Sequence, residues 1–506
     1  MGGISASKIA GLSGAERPPP IGVAVAILAA IAWTAIAVTQ RDELYDGAAV
    51  VASTVALVAA VTFYVWRPSP AREGYRLLGI FVSGQTFLSS GLSVIRRVNT
   101  TVLPSVPSQE SFSFAVESSV AFGAAFLVGA FLTAPSRDDR EPVPPSSVGL
   151  TSPIALTLAV IASFLLLEGA LTTTVDNIGR WGFLPQVVFN VTLISPMLAA
   201  TWLLTGRSTR VPLMIILASH LAITFYTSML GIVAFAIRDI LLAYIFLRKQ
   251  VPVLLLACLV VGILLFNPVK MIFRTQIAER RASDSALTFE QATSFWEEGV
   301  DDVWSRQPQR SSGGWDAVDV TASRLDYNWV SAHVHATVGR RIPYELGGTY
   351  EDIPMMFVPR ILYPNKPTSS GYTRTRWLLK LDLVTRRSAE RVAFAVPASA
   401  EAYWNFGWPG VFGVAALLGM AVGGLLRLAP RDPVARTGYC VMVAVMLGQF
   451  LDMLVWLVPL FAAALIAAVL APLFCRMGRL RLRSTIAASP PPAQPARRPE
   501  SVSDGG

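Results

Sequence analysis

Apolar runs long enough to cross a bilayer recur along this chain, and they limit what it can fold into. A hydrocarbon core of about 30 Å needs roughly 20 residues of helix. Only helices or closed barrels satisfy their own backbone hydrogen bonds there. Candidate spans lie at 21–38, 48–66, 77–95, 113–133, 152–171, 185–205, 211–228, 230–247, 251–267, 407–427, 437–455 and 457–475. Turns near Ser228 and between Asp452 and Trp456 are assumed, to separate the seventh span from the eighth and the eleventh from the twelfth. The 15% of charged residues is well below the 25% or so of soluble domains. The expected fold is therefore an all-α polytopic membrane protein with about 12 transmembrane helices and one large extracytoplasmic loop domain between helices 9 and 10.

The placement of charge gives that fold a direction. With an N-terminus inside the cell, Lys8, Arg17, Arg67, Arg72, Arg76, Arg137, Arg140, Arg207, Arg210, Arg248, Lys249, Arg427, Arg431, Arg436 and the tail arginines from Arg476 onward share one side. The short loops opposite hold only Arg41, Arg96, Arg97 and Arg180. Short loops rich in Lys and Arg stay cytoplasmic, so both termini are expected inside. The net charge of +9 then records topology and not an anionic partner. Ala35-Ile36-Ala37 offers a superficial signal-peptidase site, but the apolar run before it exceeds a signal segment, and it is read as a retained helix. Cys258, Cys440 and Cys475 all fall in apolar runs, which leaves no legible disulfide framework or cysteine metal site.

The expected organisation is a disordered cytoplasmic N-terminus (1–20), helices 1–9 (21–267), an extracytoplasmic loop domain (268–406), helices 10–12 (407–475) and a disordered basic cytoplasmic tail (476–506). The loop holds 17 Lys and Arg against 16 Asp and Glu, a balance that argues against a nucleic-acid surface. Within it, Phe289–Trp304 and Thr321–Val338 carry helical patterning and are expected along the membrane surface. Beyond Gly339, the residues Pro343, Gly347, Gly348, Pro354, Pro359, Pro364 and Pro367 break any long helix and predict a turn-rich segment held by tertiary contacts.

Three strings follow one another in this part of the chain: Arg341-Ile-Pro-Tyr-Glu-Leu-Gly-Gly-Thr-Tyr350, Val358-Pro-Arg-Ile-Leu-Tyr-Pro-Asn-Lys-Pro367 and Glu401-Ala-Tyr-Trp-Asn-Phe-Gly-Trp408. As an ordered set, before a helix, they resemble the oligosaccharide repeat unit polymerases, the Wzy-type O-antigen polymerase family. The overall plan is similar too, with many helices, one large outer loop late in the chain and a few helices after it. The resemblance implies a bacterial cytoplasmic (inner) membrane enzyme. It would transfer a growing glycan from undecaprenyl diphosphate onto a lipid-linked repeat unit at the outer face. Its implied partners are undecaprenyl-diphosphate-linked oligosaccharides, membrane lipid, a flippase and a chain-length regulator, with no nucleic acid and no cofactor.

Such chemistry asks for positive charge where diphosphate departs and for a base at the acceptor hydroxyl. The loop has no paired Asp cluster of the kind that bridges phosphates through a metal, so a cationic clamp and metal-independent action are expected. Arg360, Lys366, Arg374 and Arg376 are the clamp candidates, with Arg360 counted among the catalytic residues, because a guanidinium fork matches phosphate oxygens. Arg274 and Arg324 are further candidate phosphate contacts. Arg238 lies inside the eighth apolar run, where a cation costs about 2.5 to 3.5 kcal/mol and normally has a purpose. Its blander role is to snorkel or to pair with a carboxylate such as Asp239.

Glu401, at the membrane entry of the tenth helix, is the candidate base, with stabilisation by the helix dipole as the plain alternative. His333 is a second candidate. His333 and His335, two apart, do not share a helical face and make a poor metal pair. Glu117 and Glu168 lie in apolar runs and are candidates to line a cavity, although Glu168 lies near a helix end, where a carboxylate costs little. Tyr403 and Asn405 are candidate glycan contacts; by default they form an interfacial belt with Trp404 and Trp408. Two other functions fit part of the pattern: an O-antigen ligase, and a polysaccharide or lipid-linked sugar transporter. The latter folds are usually built from related halves, and no internal repeat is legible here. The topology predicts that alkaline phosphatase inserted near residue 310 is active and that a fluorescent protein fused after Gly506 fluoresces; the reverse pattern would invert the assignment.

Overall fold

A computed structural model of the chain describes residues 20–40, 45–66, 72–95, 107–134, 210–227, 230–248, 289–304, 328–351 and 396–429, with isolated positions between 195 and 273, at 379–381 and between 436 and 443. Among the described residues the fold is all-helical: α1 (Pro20–Gln40), α2 (Gly47–Val65), α3 (Glu73–Ile95), α4 (Gln109–Leu132), α5 (Val211–Thr227), α6 (Leu230–Arg248), α7 (Phe289–Trp304), α8 (Asn328–Thr337), α9 (Ala398–Phe406) and α10 (Trp408–Arg427). Three of them, α2, α4 and α10, are long and apolar enough to cross a membrane, and Ile27–Gln40 and Val211–Phe225 form shorter apolar stretches. The expected spans at 152–171, 457–475 and most of 185–205, 251–267 and 437–455 lie outside the described residues.

Helices α3 and α4 both begin four residues before the apolar runs that predicted them. Polar first turns are helical when something caps them. Ser108 accepts from the Ser111 amide ahead of α4, as Asp46 accepts from the Ala49 amide ahead of α2. In α3, Arg76 pairs with Glu73 at 2.9 Å and donates to the carbonyls of Phe63 (3.1 Å) and Tyr64 (2.7 Å) at the end of α2. A buried cation thus answers the negative end of the neighbouring helix. Hydroxyls inside α3 turn back on their own helix: Thr86 donates to Val82 O (2.8 Å) and Ser90 to Thr86 O (2.6 Å).

Cross-contacts give the directions. Trp33 Nε1 donates to Ser53 Oγ (α1 to α2), Arg76 reaches Phe63 O (α3 to α2), and Tyr75 Oη reaches Thr133 O at the far end of α4. The first four helices therefore alternate up and down. Helix α4 is the hub, packed against α2, α3, α8, α9 and α10. Its partner α10 runs parallel to it, from the Phe114–Trp408 ring contact at one end to the Arg427 donation to Ala134 O at the other. Their backbones touch. A Cβ on Gly129 would strike Ala416 O, one on Gly419 would strike Phe126 O, and one on Gly423 would strike Ala130 O and Thr133 Oγ1. Gly419 and Gly423 are four apart, the small-residue spacing that lets helices meet closely in lipid.

Gly407 ends α9 at a φ of 67° that favours glycine, its N–H closing on Tyr403 O (2.7 Å), and Pro409 sits at the start of α10. One expectation changes here. Helix α8 does not lie on a surface: Asn328, Val330, Ser331, Ala332, His333 and Val334 are buried, because it packs into the bundle against α3, α4 and α9. The part of that expected helix from 321 to 327 lies outside the described residues. Helix α7, Phe289–Trp304 as predicted, keeps Glu290, Glu297, Glu298 and Asp301 exposed and rests on α5, where Trp296 Nε1 donates to Phe225 O (3.0 Å). The close contact predicts that Gly419→Ala destabilises the protein by about 1–3 kcal/mol. Gly413→Ala, which meets nothing within 4 Å, should be neutral or slightly stabilising in the same thermal unfolding series.

Candidate functional site at the N-terminal end of α4 and α10

The start of α4, the end of α3 and the start of α10 gather at one end of the bundle, and residues 328–351 and 396–408 pack there. Asn328 at the head of α8 donates to Ser93 Oγ (2.7 Å) and lies 3.4 Å from Ser89 O on α3. Arg340, after α8, meets Glu110 in the first turn of α4 at 3.4 Å; both are largely exposed. The turn-rich segment expected after Gly339 is present, with Gly339 N–H closing on Ile342 O (2.7 Å) and Gly347 at a φ of 99°. Its amides then cover the open end of α9: Glu345 N–H donates to Trp404 O (3.2 Å) and Leu346 N–H to Asn405 O (3.0 Å). Carbonyls that a helix C-terminus leaves unmatched are satisfied by a distant segment of the chain.

Side chains complete this join. Asn405 Oδ1 accepts from the Gly347 amide (2.9 Å) and the Thr349 amide (3.4 Å), and its Nδ2 donates to Thr349 Oγ1 (2.6 Å) and Glu401 O (2.8 Å). Thr349 Oγ1 donates to Glu401 Oε1 at 3.0 Å. Glu401 and Asn405 lie four apart on one face of α9, so the strings Arg341–Tyr350 and Glu401–Trp408 meet through three polar side chains. Tyr350 is beside them; burial and the Glu401 charge push its phenol far above the ordinary range. Lys380 reaches the same segment through Glu345 (2.7 Å).

The opposite face of α9 builds an aromatic cluster. His335 stacks on Phe114 with ring centroids 3.9 Å apart, its Nδ1 3.3 Å from Ser111 Oγ. Tyr403 lies edge-on to Phe114 (4.6 Å), with Tyr344 and Trp408 farther out, and Trp408 stacks on the exposed Phe412. The Tyr344 hydroxyl sits against Gly339 and Gly407, at 2.9 and 3.4 Å from where their Cβ atoms would be. Burial, with the neighbouring Tyr344 hydroxyl, pushes the Tyr403 phenol up to about 12.

The belt expectation is corrected for three of its four residues. Tyr403, Trp404 and Asn405 are buried among protein groups, where α9 is roofed by residues 345–350 and packs on Phe114 of α4, and Trp408 is exposed. His333 is buried with Nε2 3.0 Å from Leu381 O, while His335 faces α4, so the two rings point apart. Arg238 donates through Nε to Asp239 Oδ1 at 3.0 Å and lies over the Phe81 ring (5.8 Å). The pairing with Asp239 expected as its plainer role is therefore present, in a helix whose Arg238 also reaches α3. Glu117 is partly buried on α4. Arg274, Arg324, Arg360, Lys366, Arg374, Arg376 and Glu168 lie outside the described residues.

Thr349 and Phe114 are the participants that sequence reasoning did not single out. Thr349 stands inside a quoted string but carries no charge, and Phe114 is one phenylalanine among many. No family model matches the chain, and neither a curated protein nor a solved structure matches it.

Burial holds the His335 imidazole below its usual 6.5, with the Arg340 cation adding to the effect and the Glu110 carboxylate opposing it. The folded state thus prefers the neutral ring. Its contribution to stability is complete above the unfolded pKa of about 6.5 and is lost as pH falls through the lowered folded value. Acidification from pH 7 to 5 should lower the thermal midpoint of the purified protein. His335→Phe, which keeps a ring on Phe114, should flatten that dependence, and an unchanged slope would remove His335 as its source.

Proposed function

We propose that this chain is a polyprenyl-diphosphate-dependent glycan polymerase. It joins undecaprenyl-diphosphate-linked oligosaccharide repeat units into a surface polysaccharide at the outer face of the bacterial cytoplasmic membrane. The observation that carries this reading is the hydrogen-bonded meeting of Arg341–Tyr350 with Glu401–Trp408. Two of the three strings behind the family resemblance, about fifty residues apart, build one local structure beside the head of a membrane-length helix.

The wider topology of twelve spans, a loop domain over 268–406 and two cytoplasmic termini draws support from two features. The parallel course of α4 and α10 is what spans separated by an even number require. Arg76 and Arg427 lie at the end of the bundle opposite the site, as cytoplasmic flanking cations should.

In this reading Glu401 takes the proton of the acceptor hydroxyl, with His333 as the alternative base. Arg360, Lys366, Arg374 and Arg376, with Arg238, Arg274 and Arg324, neutralise the departing diphosphate. Tyr403 supplies an aromatic edge to a sugar, and Asn405 acts through the segment it holds in place. No step needs a resident cofactor.

Purified full-length protein given a synthetic undecaprenyl-diphosphate-linked repeat should build a ladder of longer glycans, with or without chelator. Arg360→Ala should lower the rate by about 100-fold or more, the scale for losing one preorganised charge partner. In the producing cell, deletion should leave surface glycan with a single repeat. Loss of all attached glycan would point to a ligase, and an unchanged ladder would reject both.

A further inference from the structure

Asn405 is wholly buried, and its amide can be read in one orientation only. The oxygen faces two backbone N–H groups, of Gly347 and Thr349, so the other atom is the nitrogen, and it donates to Thr349 Oγ1 and Glu401 O. A flipped amide would set an NH2 group against two donors. The direction of the next bond follows. Thr349 Oγ1 receives its hydrogen bond from Asn405 at 2.6 Å, and its own proton goes to Glu401 Oε1 at 3.0 Å. The chain Asn405 to Thr349 to Glu401 is polarised from an obligate donor to a carboxylate, in a buried setting where each bond is electrostatically stronger than in water.

We propose that Asn405 and Thr349 are positioning residues for Glu401, a relay that sets the plane of its carboxylate and favours its ionised form for proton abstraction from the acceptor sugar hydroxyl. This rests on the reading of Glu401 as the base. In the step it serves, Glu401 takes the hydroxyl proton and the hydroxyl oxygen bonds to the anomeric carbon of the donor glycan. The bond from that carbon to the diphosphate oxygen breaks, and its electron pair leaves with the undecaprenyl diphosphate. The proton on Glu401 then returns to water.

The titratable and charged groups on the described elements packed against α9 are Tyr350 in the 348–350 turn, with Glu351 after it and Arg340, Arg341, Tyr344, Glu345 and its partner Lys380 before it, His333 and His335 on α8, and Glu110 and Glu117 on α4. Helix α10 carries none before Arg427. Tyr350 is the one whose phenol feels the Glu401 charge. None of these is altered by a change at Thr349 that removes only the hydroxyl.

Thr349→Val is nearly isosteric and deletes the donor, whereas Thr349→Ser keeps it. Infrared difference spectra of the full-length protein in lipid nanodiscs, titrated with pH, would follow the Glu401 carboxyl band, identified by its loss in Glu401→Gln. Removing a hydrogen bond to a charged carboxylate should raise the midpoint by about one to two pH units in Thr349→Val and leave it in place in Thr349→Ser. The acidic limb of the glycan-extension profile should move by the same amount, with the high-pH rate much less affected. A midpoint that stays put in folded Thr349→Val, or in Thr349→Ala should valine fail to fold, overturns the relay. A band that moves while the rate profile does not overturns the assignment of Glu401 as base. No extension by the wild type rejects the polymerase reading itself, and the infrared result still decides whether the relay acts on the carboxylate.

Discussion

The contact between α4 and α10 is the constraint on which the rest of the described structure depends. Two parallel helices come so close that Gly129, Gly419 and Gly423 leave no room for a side chain against the facing backbone. In lipid, where apolar side chains gain little from leaving the solvent, such close packing supplies much of the association. It also sets a register. With Gly419 against Phe126 and Gly423 against Ala130, Trp408 must come beside Phe114, and α9, joined to α10 through Gly407, is carried to the head of α4. The polar join at that end is therefore built on an apolar one lower down.

Many polar groups in the bundle are tied to the backbone. Arg76 answers the last carbonyls of α2, hydroxyls of α3 return to their own helix, and the 345–349 segment meets the end of α9. Asn405 does this most fully, serving two amides, a carbonyl and a hydroxyl with one side chain. An isolated unmatched amide in such a place costs about 1–3 kcal/mol, so the arrangement is strongly specified.

Much of this was legible beforehand, and the exceptions have particular causes. The runs at 48–66 and 407–427 become α2 and α10 nearly as drawn, because apolar length is a local property. The heads of α3 and α4 begin ahead of the apolar runs, since polar first turns look like loop to a hydropathy reading. The polar and aromatic residues of α8 and Trp404 suit an interface equally well in sequence; packing of α8 against α3, α4 and α9, and the roof of residues 345–350 over α9, put them inside. The union of Thr349 with Glu401 and Asn405 had no signature beyond the strings that contain it, since a neutral hydroxyl carries no charge or periodicity to notice.

By itself the sequence determined that the chain is helical and apolar enough for a membrane, and which polar strings stand out within it. Those are matters of composition and spacing along one dimension. Only the tertiary structure decided that α4 and α10 run side by side, that Glu401 is tied through Thr349 to Asn405, and that His335 rests on Phe114. Glycines that admit a backbone and amides that select a partner act between segments tens to hundreds of residues apart. Their effect exists only once the helices have met.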